Sequence, residues 1–116
     1  MNLVVKKSTL HGKGLFAAQE IAWGVRIIEY EGEVISDALA DQRIAAGADC
    51  IFQLRDNENV DGAANGNDAR YANHCRRNPN CFILREDNRI WLVAGIEGVR
   101  KGDELTFDYG SDFYPR

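Results

Sequence analysis

Paired cysteines, long apolar runs and a surplus of basic charge are all missing from this sequence. Its three cysteines, Cys50, Cys75 and Cys81, are odd in number and contain no Cys-x-x-Cys pair. That excludes a disulfide framework and points to a reducing compartment. Apolar runs such as Val25-Arg26-Ile27-Ile28 are short and broken by charge. No stretch can span a bilayer, and the N-terminus lacks the apolar core of a secretion signal, so the expected compartment is the cytoplasm, with no membrane partner. Lys and Arg number 14 against 18 Asp and Glu, a net charge of -4. That balance argues against tight non-specific binding to nucleic acid, where phosphates must be neutralised. It suits a basic partner such as a lysine-rich peptide segment, although mild acidity also serves solubility alone. There are no repeats, linkers or low-complexity tails, and 116 residues make one domain, 1–116, with a single core.

What is present reads mostly as short strands punctuated by Gly and Asn/Asp turns. Leu3 to Lys6 is a first strand, ending before a glycine-spaced turn at His11 to Gly14. Val25 to Tyr30 and Glu33 to Ile35 are strands on either side of Gly32, and Cys50 to Leu54 is another. Ser36 or Asp37 can cap a helix over Ala38 to Ala46, with Gly47 as its stop. Residues 55 to 68 are polar throughout and read as a turn-rich connection. Cys81 to Glu86 and Arg89 to Val93 form a hairpin around Asp87-Asn88, and Glu104 to Phe107 is the last strand. The expected class is mainly β with short helices.

Several local patterns imitate functional sites. Gly12-Lys13-Gly14 could admit a ligand close to the backbone, since glycine carries no obstructing side chain. It has neither the third glycine nor the long helix of a dinucleotide fingerprint, and taken alone a plain turn explains it better. Asn57-x-Asn59-x-Asp61-Gly62 with Asp68 lacks the leading Asp, the bidentate Glu and the flanking helices of a calcium loop. Cys75 beside His74 could serve as a catalytic thiol, but adjacent side chains usually point apart. His74, Cys75 and Cys81 lack zinc pair spacing and a fourth ligand, so no metal is expected.

Three motifs in order carry more weight than any of these. They are His11-Gly12-Lys13-Gly14-Leu15-Phe16-Ala17, then Ala69-Arg70-Tyr71-Ala72-Asn73-His74 with Pro79-Asn80-Cys81, then Glu104-Leu105-Thr106-Phe107-Asp108-Tyr109. Together with Glu29 to Ile35, the chain from Val4 to Tyr114 resembles the SET domain of protein lysine methyltransferases. The resemblance implies a β-clip-like fold of small curved sheets whose C-terminal segment threads a preceding loop, a pseudoknot excepted from the rule against threading. It implies S-adenosylmethionine as cofactor, held by His11, Gly12, Lys13, Gly14, Asn73, His74 and Tyr109. Tyr109 is implied to be catalytic, and Arg70 to brace the knot. Tyr30, Cys50, Phe107, Phe113 and Tyr114 are implied to line a channel for the substrate lysine.

The implied reaction is methyl transfer to the side-chain amine of a lysine in a histone tail or another lysine-rich protein, in a host nucleus if histones are the target. Phe107 stands where relatives carry Phe or Tyr, and the smaller residue leaves room for di- or trimethylation. Cys50 departs from the family's tyrosine in a Tyr-x-Phe strand, and the stretch Asn73 to Asn80 is one residue longer than usual. With only Ser111 to Arg116 after the last motif, the sequence resembles minimal viral and bacterial members without zinc-binding segments. Phe113 or Tyr114 would then close the channel, or a second copy in a homodimer would. The alternative from another class is a non-catalytic peptide-binding module of the same fold.

Overall fold

The computed structural model describes residues 2–75 and 77–108, and Tyr109, Phe113 and Tyr114 lie outside that range. Within it ten short strands make four small sheets, accompanied by one α-helix. β1 (Leu3–Lys7) and β2 (Lys13–Ala17) form an antiparallel ribbon across the His11–Gly14 turn. β3 (Arg26–Glu29), β9 (Arg89–Ala94) and β8 (Cys81–Glu86) form a second sheet in the order β3-β9-β8. Asp87 and Asn88 both take positive φ, 56° and 63°, between β8 and β9. Two left-handed residues in a two-residue loop match the right-handed twist of the strands, which is why Asp-Asn suits this turn.

β4 (Glu33–Ile35), β6 (Glu58–Asp61) and β5 (Ile51–Arg55) make the third sheet, with β6 in the middle. This corrects the reading of residues 55 to 68 as a turn-rich connection. Asn59 is wholly buried, and its Nδ2 donates to Asp37 Oδ1 at 2.8 Å and to the Ile35 carbonyl at 3.3 Å. Asp61, also buried, accepts from Arg43 Nη1 at 2.9 Å. Polar residues tolerate burial when each finds a partner, and here the partners come from other elements. The hydrogen bonds that Arg43 donates to Glu33 and to Asp61 hold its guanidinium above its usual pKa, Glu33 contributing most.

α1 (Asp37–Ala45) follows β4 directly. Ser36 is its N-cap, accepting from the Leu39 N–H at 3.2 Å, and Gly47 at φ 105° follows its end. Its buried Ala40 packs with Ile35 and Ile51 in a small separate cluster. The main core gathers Leu15, Ile21, Phe52, Ile90, Leu92, Leu105 and Phe107.

The fourth sheet is the one that positions the site. A 3-10 turn (Asp68–Tyr71) leads into β7 (Asn73–His74), which pairs in parallel with β10 (Thr106–Phe107). Cys75 N–H donates to the Phe107 carbonyl at 2.9 Å on one side of that last strand. On the other side Asn80 clasps it: its Nδ2 donates to the Glu104 carbonyl at 2.8 Å, and its Oδ1 accepts from the Thr106 N–H at 2.9 Å. The terminal segment therefore runs between the two arms of the 73–80 loop. Parallel pairing of strands thirty-odd residues apart cannot arise from a hairpin, so no local pattern announces it.

Candidate functional site

The parallel pair β7–β10 ends beside the β1–β2 turn, and between them opens a cleft of about 450 Å³. One wall is the turn itself, with His11, Gly12 and Lys13. Gly12 sits at φ 48°, and a Cβ built there would meet nothing within 4 Å. Backbone is thus presented bare to the cleft, in a conformation that L side chains seldom adopt. Asn73 and His74 form the floor. The opposite wall is aromatic: Tyr30 meets Phe52 edge-on at 4.6 Å between centroids, and Phe52 meets Phe107 at 5.5 Å. Cys50 completes that wall, with Asp49, Arg70 and Tyr71 also lining the cleft.

Of the residues singled out from sequence, His11, Gly12, Lys13, Tyr30, Cys50, Asn73, His74 and Phe107 all line this one cleft. Gly14 does not. A Cβ there would strike the Glu104 carboxylate, so Gly14 is small because a side chain approaches it from the core side. Arg70 lines the same cleft. Its guanidinium lies 5.1 Å from the Tyr71 ring centroid, exposed at the rim of the cleft. His74 Nδ1 is 3.9 Å from Asp108 Oδ1, an ion pair only when the imidazole is protonated.

Asn73 is more constrained than its sequence position suggests. Its Nδ2 lies 3.1 Å from the His11 carbonyl, 3.0 Å from the Lys13 carbonyl and 2.8 Å from Glu104 Oε2. Three acceptors around one nitrogen fix which end of the amide is the donor. Sequence reasoning missed Ser8 and Glu104, whose part in this network appears only when the segments meet. Phe52 was legible only as the last position of the Tyr-x-Phe pattern.

Tyr30 donates its hydroxyl to the Cys50 carbonyl at 3.0 Å, and the Gly62 N–H donates to the same oxygen at 2.8 Å. The Cys50 backbone is pinned where the residue lines the cleft. Burial, then the Asp49 carboxylate 3.3 Å from Sγ, push that thiol up to about 11. Burial alone pushes the Cys81 thiol up to about 12. Cys50 is therefore expected to alkylate slowly at pH 8, where about one thiol in a thousand is ionised, with the rate rising about tenfold per pH unit towards 11. A raised thiol pKa stabilises the fold fully below about pH 9 and loses that contribution as pH rises through about 11. Mass-spectrometric alkylation rates at Cys50 across pH 7–11 would check this, and a fast, pH-flat rate at pH 8 would contradict it.

The Cys75 thiol donates to the Arg77 carbonyl at 2.9 Å. Among the described residues no group of three or more His, Cys, Asp or Glu could hold a metal ion. No helix among them is long and apolar enough to cross a membrane.

The arrangement has known counterparts. A family model described as "SET domain" matches residues 12–110. The chain is 36% identical to the histone-lysine N-methyltransferase trithorax of Drosophila melanogaster over 94% of its own length and 3% of that protein's. It is 37% identical to human histone-lysine N-methyltransferase 2B, over 90% of its length and 4% of the relative's. Among solved structures, an inhibitor-bound humanized mutant of the Chaetomium thermophilum Polycomb Repressive Complex 2 superposes with a TM-score of 0.84 at 36% identity, covering 99% of this chain and 15% of that one. An autoinhibited form of the same complex, bound to S-adenosylmethionine, gives 0.82 at 35% identity, covering 98% of this chain and 16% of that one. The chain thus spans a small part of each relative it matches.

Proposed function

The chain belongs to the SET-domain family, and from that membership we propose that it transfers methyl groups from S-adenosylmethionine to the side-chain amine of lysine in a protein substrate. The single observation that carries this is the convergence of the glycine turn, the Asn73-His74 pair and the aromatic wall on one cleft. A volume of about 450 Å³ suits a small-molecule site. Bare backbone at Gly12 and the polar Asn73 floor fit a ligand with a nucleoside and an amino-acid end. In this reading His11, Gly12, Lys13, Asn73 and His74 hold the cofactor, and Tyr109 of the last motif keeps the role the family resemblance implies. When bound, S-adenosylmethionine supplies an electrophilic methyl group on a positively charged sulfur.

The protein's own residues must then make lysine reactive. Only the neutral amine attacks, and at an ordinary pKa near 10.4 about one lysine in 2500 is neutral at pH 7. Tyr30, Phe52 and Phe107 replace water along the aromatic wall, and desolvation disfavours the ammonium. The same wall restricts where the amine can lie, which removes much of the entropic barrier to in-line attack. Tyr109 is assigned the orienting hydroxyl. Lysine-rich protein segments, histone tails among them, are the substrate class, since the named relatives are histone-lysine methyltransferases. A histone target would place the activity in a nucleus.

Transfer of a radiolabelled methyl group to histones and whole-cell protein tests the proposal directly. Label on lysine is expected, and Tyr109→Phe should reduce it about a hundredfold, the size of one oriented transition-state hydrogen bond. Absence of transfer to any protein fraction would refute the enzymatic reading. Phe107, 2% exposed, packs against Phe52 on the cleft wall. Its lack of a hydroxyl supports di- or trimethylation. Phe107→Tyr is expected to shift the products towards monomethyl-lysine in peptide mass spectra, and an unchanged distribution would count against that role.

A further inference from the structure

Three segments far apart in sequence meet at one carboxylate. Ser8 Oγ lies 2.8 Å from both Oε1 and Oε2 of Glu104, and also accepts from the Leu10 N–H at 2.9 Å. Asn73 Nδ2 lies 2.8 Å from Glu104 Oε2. The Ser8 N–H donates to the Gly12 carbonyl at 2.8 Å, closing the turn that faces the cleft. Gly14 leaves the space through which the Glu104 side chain reaches this cluster. Glu104 itself does not line the cleft; it stands behind the groups that do.

The chemistry of the cluster is directional. An ionised carboxylate only accepts hydrogen bonds, and so do the His11 and Lys13 carbonyls. The amide of Asn73 therefore meets acceptors alone on this side and must present its nitrogen to them. Its Oδ1, the remaining acceptor, has no partner among the described residues and is left for a donor from the cleft. With two carbonyls and no carboxylate, that choice would rest on two longer bonds, at 3.0 and 3.1 Å. Glu104 adds the shortest, and a charge-assisted bond is about twice as strong as a neutral one.

We propose that Glu104 is a positioning residue: it sets the orientation of the Asn73 amide, and through Ser8 the Ser8–Gly12 turn, so that an acceptor faces the ammonium end of the cofactor. The proposal rests on the cofactor role given to the cleft above. Glu104→Gln keeps the shape and loses the charge. With its oxygen at the Oε2 position it still accepts from Asn73 Nδ2 and Ser8 Oγ, but through neutral bonds about half as strong. With its nitrogen there it confronts the Asn73 amino group and drives the Asn73 amide to turn over.

Two ligands separate this role from a general loss of structure. S-adenosylhomocysteine carries the amino-acid end, and methylthioadenosine shares the nucleoside thioether without it. With the full chain, calorimetry for the first and saturation-transfer NMR for the second give both affinities. Glu104→Gln is expected to weaken S-adenosylhomocysteine about tenfold, one charge-assisted hydrogen bond, and to leave methylthioadenosine within about twofold. Ser8→Ala, which frees the other side of the carboxylate, should weaken S-adenosylhomocysteine by about threefold. Asp103→Asn, the neighbouring exposed carboxylate, should change neither. Equal weakening of both ligands, or of neither, in a Glu104→Gln chain with an unchanged melting temperature would overturn the proposal. A parent chain that binds neither ligand would instead defeat the cofactor reading on which it stands.

Discussion

Phe52→Ala is expected to cost about 3–5 kcal/mol of folding free energy, the range for truncating a buried aromatic. Phe52 is 1% exposed and sits between Tyr30 and Phe107, touching both rings. Removing it opens a void that neither neighbour can fill. Tyr30 is tethered by its hydroxyl to the Cys50 carbonyl, and Phe107 belongs to a strand clasped on both sides. Sites that cannot collapse sit at the upper end of that range. A domain of this size has about 5–15 kcal/mol in total, so a fall in melting temperature of about 12 °C or more should follow. Phe52→Leu, which keeps more of the volume, should cost less. A loss under about 1 kcal/mol for the alanine variant would mean that the aromatic wall is not part of the supporting core. The same ring holds up the core and lines the cleft, so ligand affinity should fail with stability.

Asn73→Ala should do the reverse: it should spare the fold and empty the cleft. Asn73 is only half-buried, and the carbonyls it bonds can turn to water. A stability loss of about 1 kcal/mol is expected, a few degrees in melting temperature. Affinity for S-adenosylhomocysteine should fall about a hundredfold, because a direct ligand contact is lost and the turn it anchors is released. Titration calorimetry alongside thermal melting reads both quantities on one sample. Unchanged affinity would remove Asn73 from the proposed cofactor contacts. A melting temperature lowered as far as in Phe52→Ala would recast it as a structural residue.

The sequence was most legible where structure is local. Ser36 and Gly47 bracket α1 as cap and stop, and Asp87-Asn88 turns β8 into β9, because capping and tight turns depend on neighbours a few residues apart. β6 was missed for the converse reason. Asn59 and Asp61 look like loop residues until Asp37, Ile35 and Arg43 are brought to them. Polarity predicts exposure only while the partners that could satisfy it are unknown. Gly14 changed meaning in the same way, making room for Glu104.

Order and identity of the motifs were enough to name the family and to single out eight residues that line the cleft. Those are properties of short segments, each bearing its own chemistry. That the segments face one another, with Glu104 behind Asn73 and the last strand between the arms of the 73–80 loop, was decided by tertiary structure alone. Hydrogen bonds between residues 31 and 96 positions apart close these loops. Such closure depends on where whole strands pack, and no pattern within a segment encodes it.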